Sequence, residues 1–249
     1  MENNNKESPV MVDGLRKSFG AQAVLNGITL SVAKGEILSV LGRSGTGKSV
    51  LLRLLIGLDK PDAGSIRMNG DEITKLGPEK LNEARRNIGF LFQQAALYDS
   101  LSLEANVEFP LLRHLKQAEG NPRERARELL ASVGLDKDLK KMPSQISGGM
   151  KKRVALARAL ALNPAVVLFD EPTAGLDPIT AAEIGQLIVD LGKQRGMTSI
   201  VVTHDMHAAK YFSNRLVLLS AGTIVVDGTF DDLQKSTNEF AKRFLSDSA

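Results

Sequence analysis

Eight consecutive residues, Gly42-Arg43-Ser44-Gly45-Thr46-Gly47-Lys48-Ser49, have the types and spacing to hold a chain of phosphates. They match G-x-x-x-x-G-K-[ST], after the apolar run Ile37-Leu38-Ser39-Val40-Leu41 and before an apolar-periodic segment that opens at Val50. Strand, glycine-rich loop and helix in that order turn several backbone N–H groups toward one anion. The helix that starts near Thr46 adds the positive end of its dipole. Lys48 brings an ammonium to the outer phosphates, and the Ser49 hydroxyl is placed to ligate Mg2+. A hydrogen bond to a charged group contributes about 1.5–3 kcal/mol, so a handful suffices for micromolar affinity.

A second group of polar residues stands at the ends of apolar runs. Ala165-Val166-Val167-Leu168-Phe169 reads as a buried strand that delivers Asp170 and Glu171 to the sheet edge holding the phosphate loop. Asp170 suits the Mg2+ shell, and Glu171 can orient or deprotonate an attacking water. Gln93 ends another such run, where its amide oxygen could reach the metal or the water, although a solvated glutamine is the ordinary reading of that residue alone. His204 follows Ser199-Ile200-Val201-Val202-Thr203, and an imidazole there can bond a terminal phosphate. His204 and His207 are three apart, but with no cysteine and no third ligand at suitable spacing they do not make a metal site. Ser147-Gly148-Gly149 offers a hydroxyl, two unhindered N–H groups and the N-terminus of the helical run from Met150 to Leu162, a second anion-binding loop. A plain helix cap would use the same serine.

These residues need a framework. Val10 to Leu15 and Ile28 to Val32 read as strands around a turn at Gly20, with Phe19 between them. Position alone favours an ordinary core phenylalanine there. Ser65 to Met68 is a short strand ending at the hairpin signal Asn69-Gly70, Glu79 to Arg86 a helix, and Ile88 to Phe92 a compact strand. From about Ala95 to Leu162 strand-like runs vanish and helical periods take over. Within that stretch the alternating charges Arg123-Glu124-Arg125-Ala126-Arg127-Glu128 predict a solvated helix face. Ile179 to Leu191 is an amphipathic helix, and Leu216 to Ser220 with Thr223 to Val226 form a hairpin turning at Ala221-Gly222. Strands alternating with helices predict a mostly parallel sheet with ligand loops at the strands' carboxyl ends.

The bulk properties set limits. A chain of 249 residues with 43% hydrophobic content can bury a real core. Its 32 basic side chains nearly balance 29 acidic ones, so a pI near 9.1 is weak evidence for nucleic acid. With no cysteine there is no disulfide or thiolate chemistry, which suits a reducing interior. Met1 to Ser8 has no apolar centre, so it reads as a disordered lead and not a signal peptide. No apolar run approaches the roughly 18 residues of a membrane span.

In this order these elements resemble the nucleotide-binding subunit of an ATP-binding cassette (ABC) transporter, over nearly the whole chain from Val10 to about Leu245. The resemblance implies an α/β fold: a P-loop NTPase (RecA-like) core with an antiparallel β subdomain and an inserted α-helical subdomain. The core would take residues 9–94 and 163–234, the helical signature subdomain 95–162, a disordered lead 1–8 and a short helix or tail 235–249. It also implies ATP and Mg2+ as cofactors. Phe19 would stack on adenine, at about 1–3 kcal/mol if it behaves like other base stacking. Gly42, Arg43, Ser44, Gly45, Thr46, Gly47, Lys48 and Ser49, with Val50 behind them, match the Walker A loop. Gln93 matches the Q-loop glutamine, and Ser147, Gly148 and Gly149 the family signature. Asp170 is the counterpart of the Walker B aspartate, with Ser49 and Gln93 beside it at the metal. Ala174-Gly175-Leu176-Asp177 matches the D-loop. Glu171, His204 and Lys48 would carry catalysis.

In this family two subunits close head to tail around two ATPs, which implies a homodimer working with a separate integral membrane permease contacted near Tyr98 to Asn106. Met150 stands where the usual signature has glutamine. The Ile-Ser-Gly-Gly-Met form, the stretch from Ala96 to Val107 with Phe109-Pro110-Leu111, and Asp177-Pro178-Ile179-Thr180 resemble the Mce/Mla-type branch, which energises lipid movement between bacterial membranes. That branch implies a Mce-type lipid-binding subunit, a small cytoplasmic regulator, no nucleic acid, and a place on the cytoplasmic face of the bacterial inner membrane. An importer of amino acids or another small solute is the alternative. A GTPase would need a guanine-reading Asn/Thr-Lys-x-Asp segment, and Thr74-Lys75-Leu76-Gly77 lacks the aspartate. A chromosome-maintenance ATPase would carry a long coiled coil between Lys48 and Asp170, and that interval has no sustained heptads.

Overall fold

A computed structural model describes residues 8–114 and 120–247. The lead expected over residues 1–8 lies, apart from Ser8, outside the described residues. Two sheets form the frame. The smaller is antiparallel: β1 (Val10–Phe19) and β2 (Gln22–Val32) form a ribbon, β4 (Ala63–Met68) pairs with the other side of β1, and β5 (Asp71–Glu72) closes the edge through the Asn69-Gly70 turn. Both β1 and β2 run further than their apolar alternation predicts. Register shifts between Val12 and Leu15 and again at Lys17/Ser18 break the two-residue period, so the exposed halves carry no pattern while their backbones still pair.

The larger sheet has six strands in the order β10-β9-β3-β8-β7-β6. Its members are β3 (Ile37–Leu41), β6 (Ile88–Leu91), β7 (Val166–Asp170), β8 (Thr198–Thr203), β9 (Arg215–Ser220) and β10 (Thr223–Gly228). All pairs are parallel except the β9–β10 hairpin. Every residue of β3 and β8 is buried, as expected of central parallel strands covered on both faces. Helices α1 (Lys48–Leu55) and α2 (Pro78–Arg86) belong to the sheet region before β6. Helix α6 (Pro178–Arg195) follows β7 and α7 (Met206–Phe212) follows β8. Asp177 caps the start of α6, and Gly196 at φ 60 ends it. The amphipathic helix expected from Ile179 thus begins one residue earlier, and Ile179 itself is 75% exposed. The chain ends in α8 (Phe230–Gln234) and α9 (Glu239–Asp247), whose Ala241 and Phe244 pack with Leu41, Leu218 and Met206.

Among the described residues the inserted lobe contains α3 (Leu103–His114), α4 (Pro122–Ser132) and α5 (Gly148–Ala159). Their apolar faces, with Val107, Leu111, Leu129, Leu130 and Val154, join a core continuous with Phe169 and Val201 of the sheet. The charged face of α4 is not simply solvated. Arg123 and Arg127 both reach the buried Glu104 of α3, at 3.1 and 2.6 Å. Burial pushes that carboxyl up, but the two guanidiniums outweigh it and hold Glu104 below the ordinary range. A depressed carboxylate contributes stability that is present above its unfolded value and lost as pH falls through its folded value. Glu104→Gln should therefore lower stability by roughly 1–2 kcal/mol at neutral pH, discounted for the half-exposed arginines. In thermal melts its gap from wild type should close on acidification below the ordinary carboxylate range. A gap that stayed constant with pH would remove the clasp.

Candidate active site

The carboxyl ends of four parallel strands converge on one edge. The phosphate loop leaves β3, Gln93 lies two residues past β6, Asp170 and Glu171 stand at the end of β7, and His204 follows β8. The sheet order places β8, a strand from late in the chain, between β3 and β7, which creates a crevice of the kind that takes ligands in open α/β sheets. A cavity of about 520 Å³ opens there, between Phe19 and Val24 on one side and Ser44, Gly45, Gly47, Lys48, Ser49, Val50, Gln93, Glu171 and His204 on the other.

Each side chain has a physical reason for its position. Lys48, the first residue of α1, is buried, and its Nζ donates to Gly42 O at 2.8 Å and Arg43 O at 3.0 Å. Burial pushes the ammonium below the ordinary lysine range, while the Glu171 and Asp170 carboxylates pull it back up. Gly47 has φ 97, and a Cβ there would lie 2.8 Å from Leu25 Cδ2 and 3.1 Å from Val24 O. The loop can thus pass close under β2 only without a side chain. Ser49 Oγ donates to Asp170 Oδ1 at 3.0 Å, bringing the two expected metal ligands together. Burial raises the Asp170 carboxyl, the Ser49 hydrogen bond opposes that, and the Glu171 charge adds to it.

Glu171 is the most constrained member. It is 8% exposed and sits at φ 47, a left-handed conformation that a residue with a Cβ adopts at a cost. Its N–H donates to Val202 O at 2.9 Å, Oε2 accepts from Thr203 Oγ1 at 3.1 Å, and Oε1 lies 2.9 Å from His204 Nδ1. Its carbonyl oxygen accepts from Lys152 Nζ at 3.0 Å, and the same ammonium donates to Gln93 O at 2.5 Å. A carboxylate held against an imidazole at a strand end, facing a phosphate loop, is an arrangement for activating or steering water.

Phe19 is not a core residue: it is 51% exposed at the cavity rim, with Lys17 Nζ 5.2 Å from its ring centre. An exposed aromatic face beside a phosphate loop is a surface on which a base can stack. The hydroxyl, carboxylate and amide oxygens of Ser49, Asp170 and Gln93 are hard donors that suit Mg2+. Among the described residues no three His, Asp or Glu gather to cage an ion. Mg2+ binds commonly through one or two carboxylates plus substrate phosphates, so the donor set fits it.

Several expected contacts lie elsewhere. Arg43 takes part through its carbonyl, which accepts from Lys48 and from Thr46 Oγ1, while its guanidinium turns away to pair with Asp247 and lies 5.7 Å from the Phe240 ring centre. Gly42 and Thr46 shape the loop from behind the cavity wall. Ser147, Gly148, Gly149 and Asp177 do not line this cavity. Ser147 caps α5 by accepting from Met150 N, and Asp177 caps α6 by accepting from Thr180 N and Oγ1, bonds that hold its carboxyl below the usual range. A Cβ on Gly149 would come 2.5 Å from Thr180 Cγ2, so the signature loop and the start of α6 are in tight contact. The residues that sequence reading missed are Val24, Thr203 and Lys152. Lys152 leaves a trace, since it shares the buried face of α5 with Gly149 and Leu156 at helical spacing.

The site's likeness to known proteins is extensive. A family model described as ABC transporter matches residues 25–174. A Mycobacterium tuberculosis protein named "Probable ribonucleotide transport ATP-binding protein mkl" is 42% identical over 237 residues, 95% of this chain and 66% of that relative. A Brucella abortus "Methionine import ATP-binding protein MetN" is 43% identical over 220 residues, 88% of this chain and 59% of the relative. The chain thus spans about two thirds or less of these relatives' length. Among solved structures, the ATP-binding cassette MJ0796, a dimer in a post-hydrolysis state bound to ADP and Pi, superposes with TM-score 0.81 at 36% identity, over 88% of this chain and 98% of that one. The cbiO1 subunit from Clostridium perfringens, part of the transporter complex cbiONQ, gives 0.83 at 28% identity over 98% of this chain and 100% of its own.

Proposed function

The chain belongs to the ABC transporter family, and from that premise we propose that it is the ATP-hydrolysing subunit of a transporter whose permease is a separate polypeptide. The observation that carries the reading is one constellation: Lys48 in the loop, Ser49 on Asp170 at 3.0 Å, and Glu171 on His204 at 2.9 Å, all at one sheet edge. Phe19 takes the base, and the loop N–H groups with Lys48 take the phosphates. Ser49, Asp170 and Gln93 would hold Mg2+, which would supply charge neutralisation at the phosphates. Glu171 receives the proton of the attacking water, and His204 orients that carboxylate. Ser147 and Gly148 are exposed, and Ser147 to Gly149 lie outside the lining of their own chain's cavity, which supports a homodimer in which each signature faces the partner's phosphates.

Among the described residues no helix is long and apolar enough to cross a membrane, and the reading assigns movement of cargo to the permease. We place the permease contact near Tyr98 to Asn106. Buried Asn106 ties that segment into a rigid platform, accepting from Tyr98 N at 2.8 Å and donating to Tyr98, Leu101 and Ser102 carbonyls. Half-exposed Tyr98 lies with its ring centre 4.9 Å from that of Phe109, the planes tilted by 51°, beside an open groove of about 440 Å³ bordered by Phe90, Phe92 and Arg158. A permease helix seated there would feel closure of the two cassettes through α3 and the segment after Gln93.

For the cargo, we propose (phospho)lipid moved between bacterial membranes, on the cytoplasmic face of the inner membrane, with a Mce-type lipid-binding subunit and a small regulator in the complex. The support is the Ile146-to-Met150 signature form and Asp177-Pro178-Ile179-Thr180. Import of a small solute is the second reading, favoured by the likeness to proteins named for methionine import and ribonucleotide transport. Extraction of the tagged chain from its native membranes separates them. A co-purifying permease with a Mce-type subunit and bound phospholipid is the expected result. A permease paired with a solute-binding protein would overturn the lipid reading and leave the ATPase reading intact.

A further inference from the structure

Lys152 is a buried charged side chain beside the site whose place the proposed reaction does not explain. It is 5% exposed, on the α5 face that otherwise packs Ala155 and Leu156. Taking an ammonium out of water is costly unless it is well paired, and a thioether or aliphatic chain would fill the space without that cost. The ammonium is spent on two carbonyls from distant parts of the chain, Gln93 O at 2.5 Å and Glu171 O at 3.0 Å.

Those two residues are the ones expected to meet the attacking water. Glu171 sits at φ 47, and such a conformation persists only where its surroundings hold it. Strand β8 holds its N–H, and Lys152 holds its carbonyl, so the peptide that aims the carboxylate is pinned on both sides. The same helix straps the segment after Gln93, because Arg158 donates to the Ala95 and Ala96 carbonyls at 2.8 Å each. The Arg158 hydrogen bonds go to that segment, not to the Glu171 carbonyl. Lys152 alone among these two bridges the segment after β6, the end of β7 and the helix that begins at the signature serine.

We propose that Lys152 is a positioning residue for hydrolysis: its ammonium fixes the Glu171 backbone and the Gln93 backbone at a set separation and ties both to α5. It does not line the cavity that would take the nucleotide. A misplacement of about 1 Å at such a site can cost on the order of 10²-fold in rate. The inference rests on the ATPase reading above.

Lys152→Met removes the donors and nearly preserves length and volume, and Lys152→Gln restores an amide with two donors and no charge. Turnover is measured per nucleotide-binding site, counted by titration with a fluorescent ATP analogue, so that a loss of folded protein lowers the count and not the rate. Wild type is measured first, and absence of turnover there would sink the ATPase reading itself. With wild type active, Lys152→Met is expected to lose roughly 10- to 100-fold in kcat with KM for MgATP within about threefold, and Lys152→Gln to recover most of that loss. Per-site turnover of Lys152→Met within threefold of wild type would overturn the proposal, as would a Gln variant no better than Met. Should the Met variant fail to fold, a folded Lys152→Gln protein turning over more than about tenfold below wild type would overturn it as well.

Discussion

Glu171→Gln lowers steady-state ATP turnover by about 10²- to 10⁴-fold and leaves nucleotide bound. The substitution is nearly isosteric. Its amide oxygen can still accept from Thr203 Oγ1, and the backbone bonds to Val202 and Lys152 do not involve the side chain. What disappears is the negative charge that receives a proton from water and attracts the His204 ring 2.9 Å away. Binding is served by other groups, the loop amides, Lys48 and the exposed ring of Phe19, so affinity and rate should separate cleanly. Turnover equal to wild type would move the proton acceptor elsewhere, and a parallel loss of binding would point to a collapsed site.

Lys48→Ala is expected to act on the other half of that separation. The ammonium now satisfies two loop carbonyls, Gly42 O and Arg43 O, and is the buried cation of the cavity wall. Two charge-assisted hydrogen bonds to phosphate, at about 1.5–3 kcal/mol each, correspond to roughly 10²-fold or more in the dissociation constant for ATP. Adenosine, which has no phosphates, should bind wild type and variant equally weakly through Phe19. Calorimetric titration with both ligands checks the difference. A variant that lost adenosine and ATP alike would indicate damage to the fold, and one that kept ATP would remove Lys48 from the phosphates.

Much of this site was legible in the residues because its determinants are local. The octapeptide needs only neighbours to turn its amides inward, and Asp170, Glu171 and His204 are placed by the apolar strands that directly precede them. What could not be read depends on chain segments far apart. The bulges in β1 erase the alternation that would have revealed its full length. Arg43 belongs to the loop by sequence, yet its guanidinium answers to Asp247, 204 residues away. The charges of α4 look solvated until α3 supplies buried Glu104. Phe19 has no local mark that distinguishes a core ring from a stacking platform; only the folded antiparallel sheet shows that about half of it stays exposed. Lys152 follows the same rule, since the carbonyls it bonds are 59 and 19 residues distant. Ser147 reads equally well as a helix cap and as a ligand contact, and within one chain it forms the cap of α5, as Asp177 does for α6.

That last ambiguity is where the account is most exposed, because it requires the signature of one copy to complete the pocket of another. Lys48→Ala disables the loop of a chain and Ser147→Arg its signature, so neither homodimer has a complete site. A hybrid pair has one site with both halves damaged and one with both intact. Mixing the two inactive proteins under conditions where subunits exchange should restore ATP hydrolysis to roughly a quarter of the wild-type rate, given random pairing. A mixture in which hybrid pairs form and hydrolysis stays at the level of either parent would contradict the shared site.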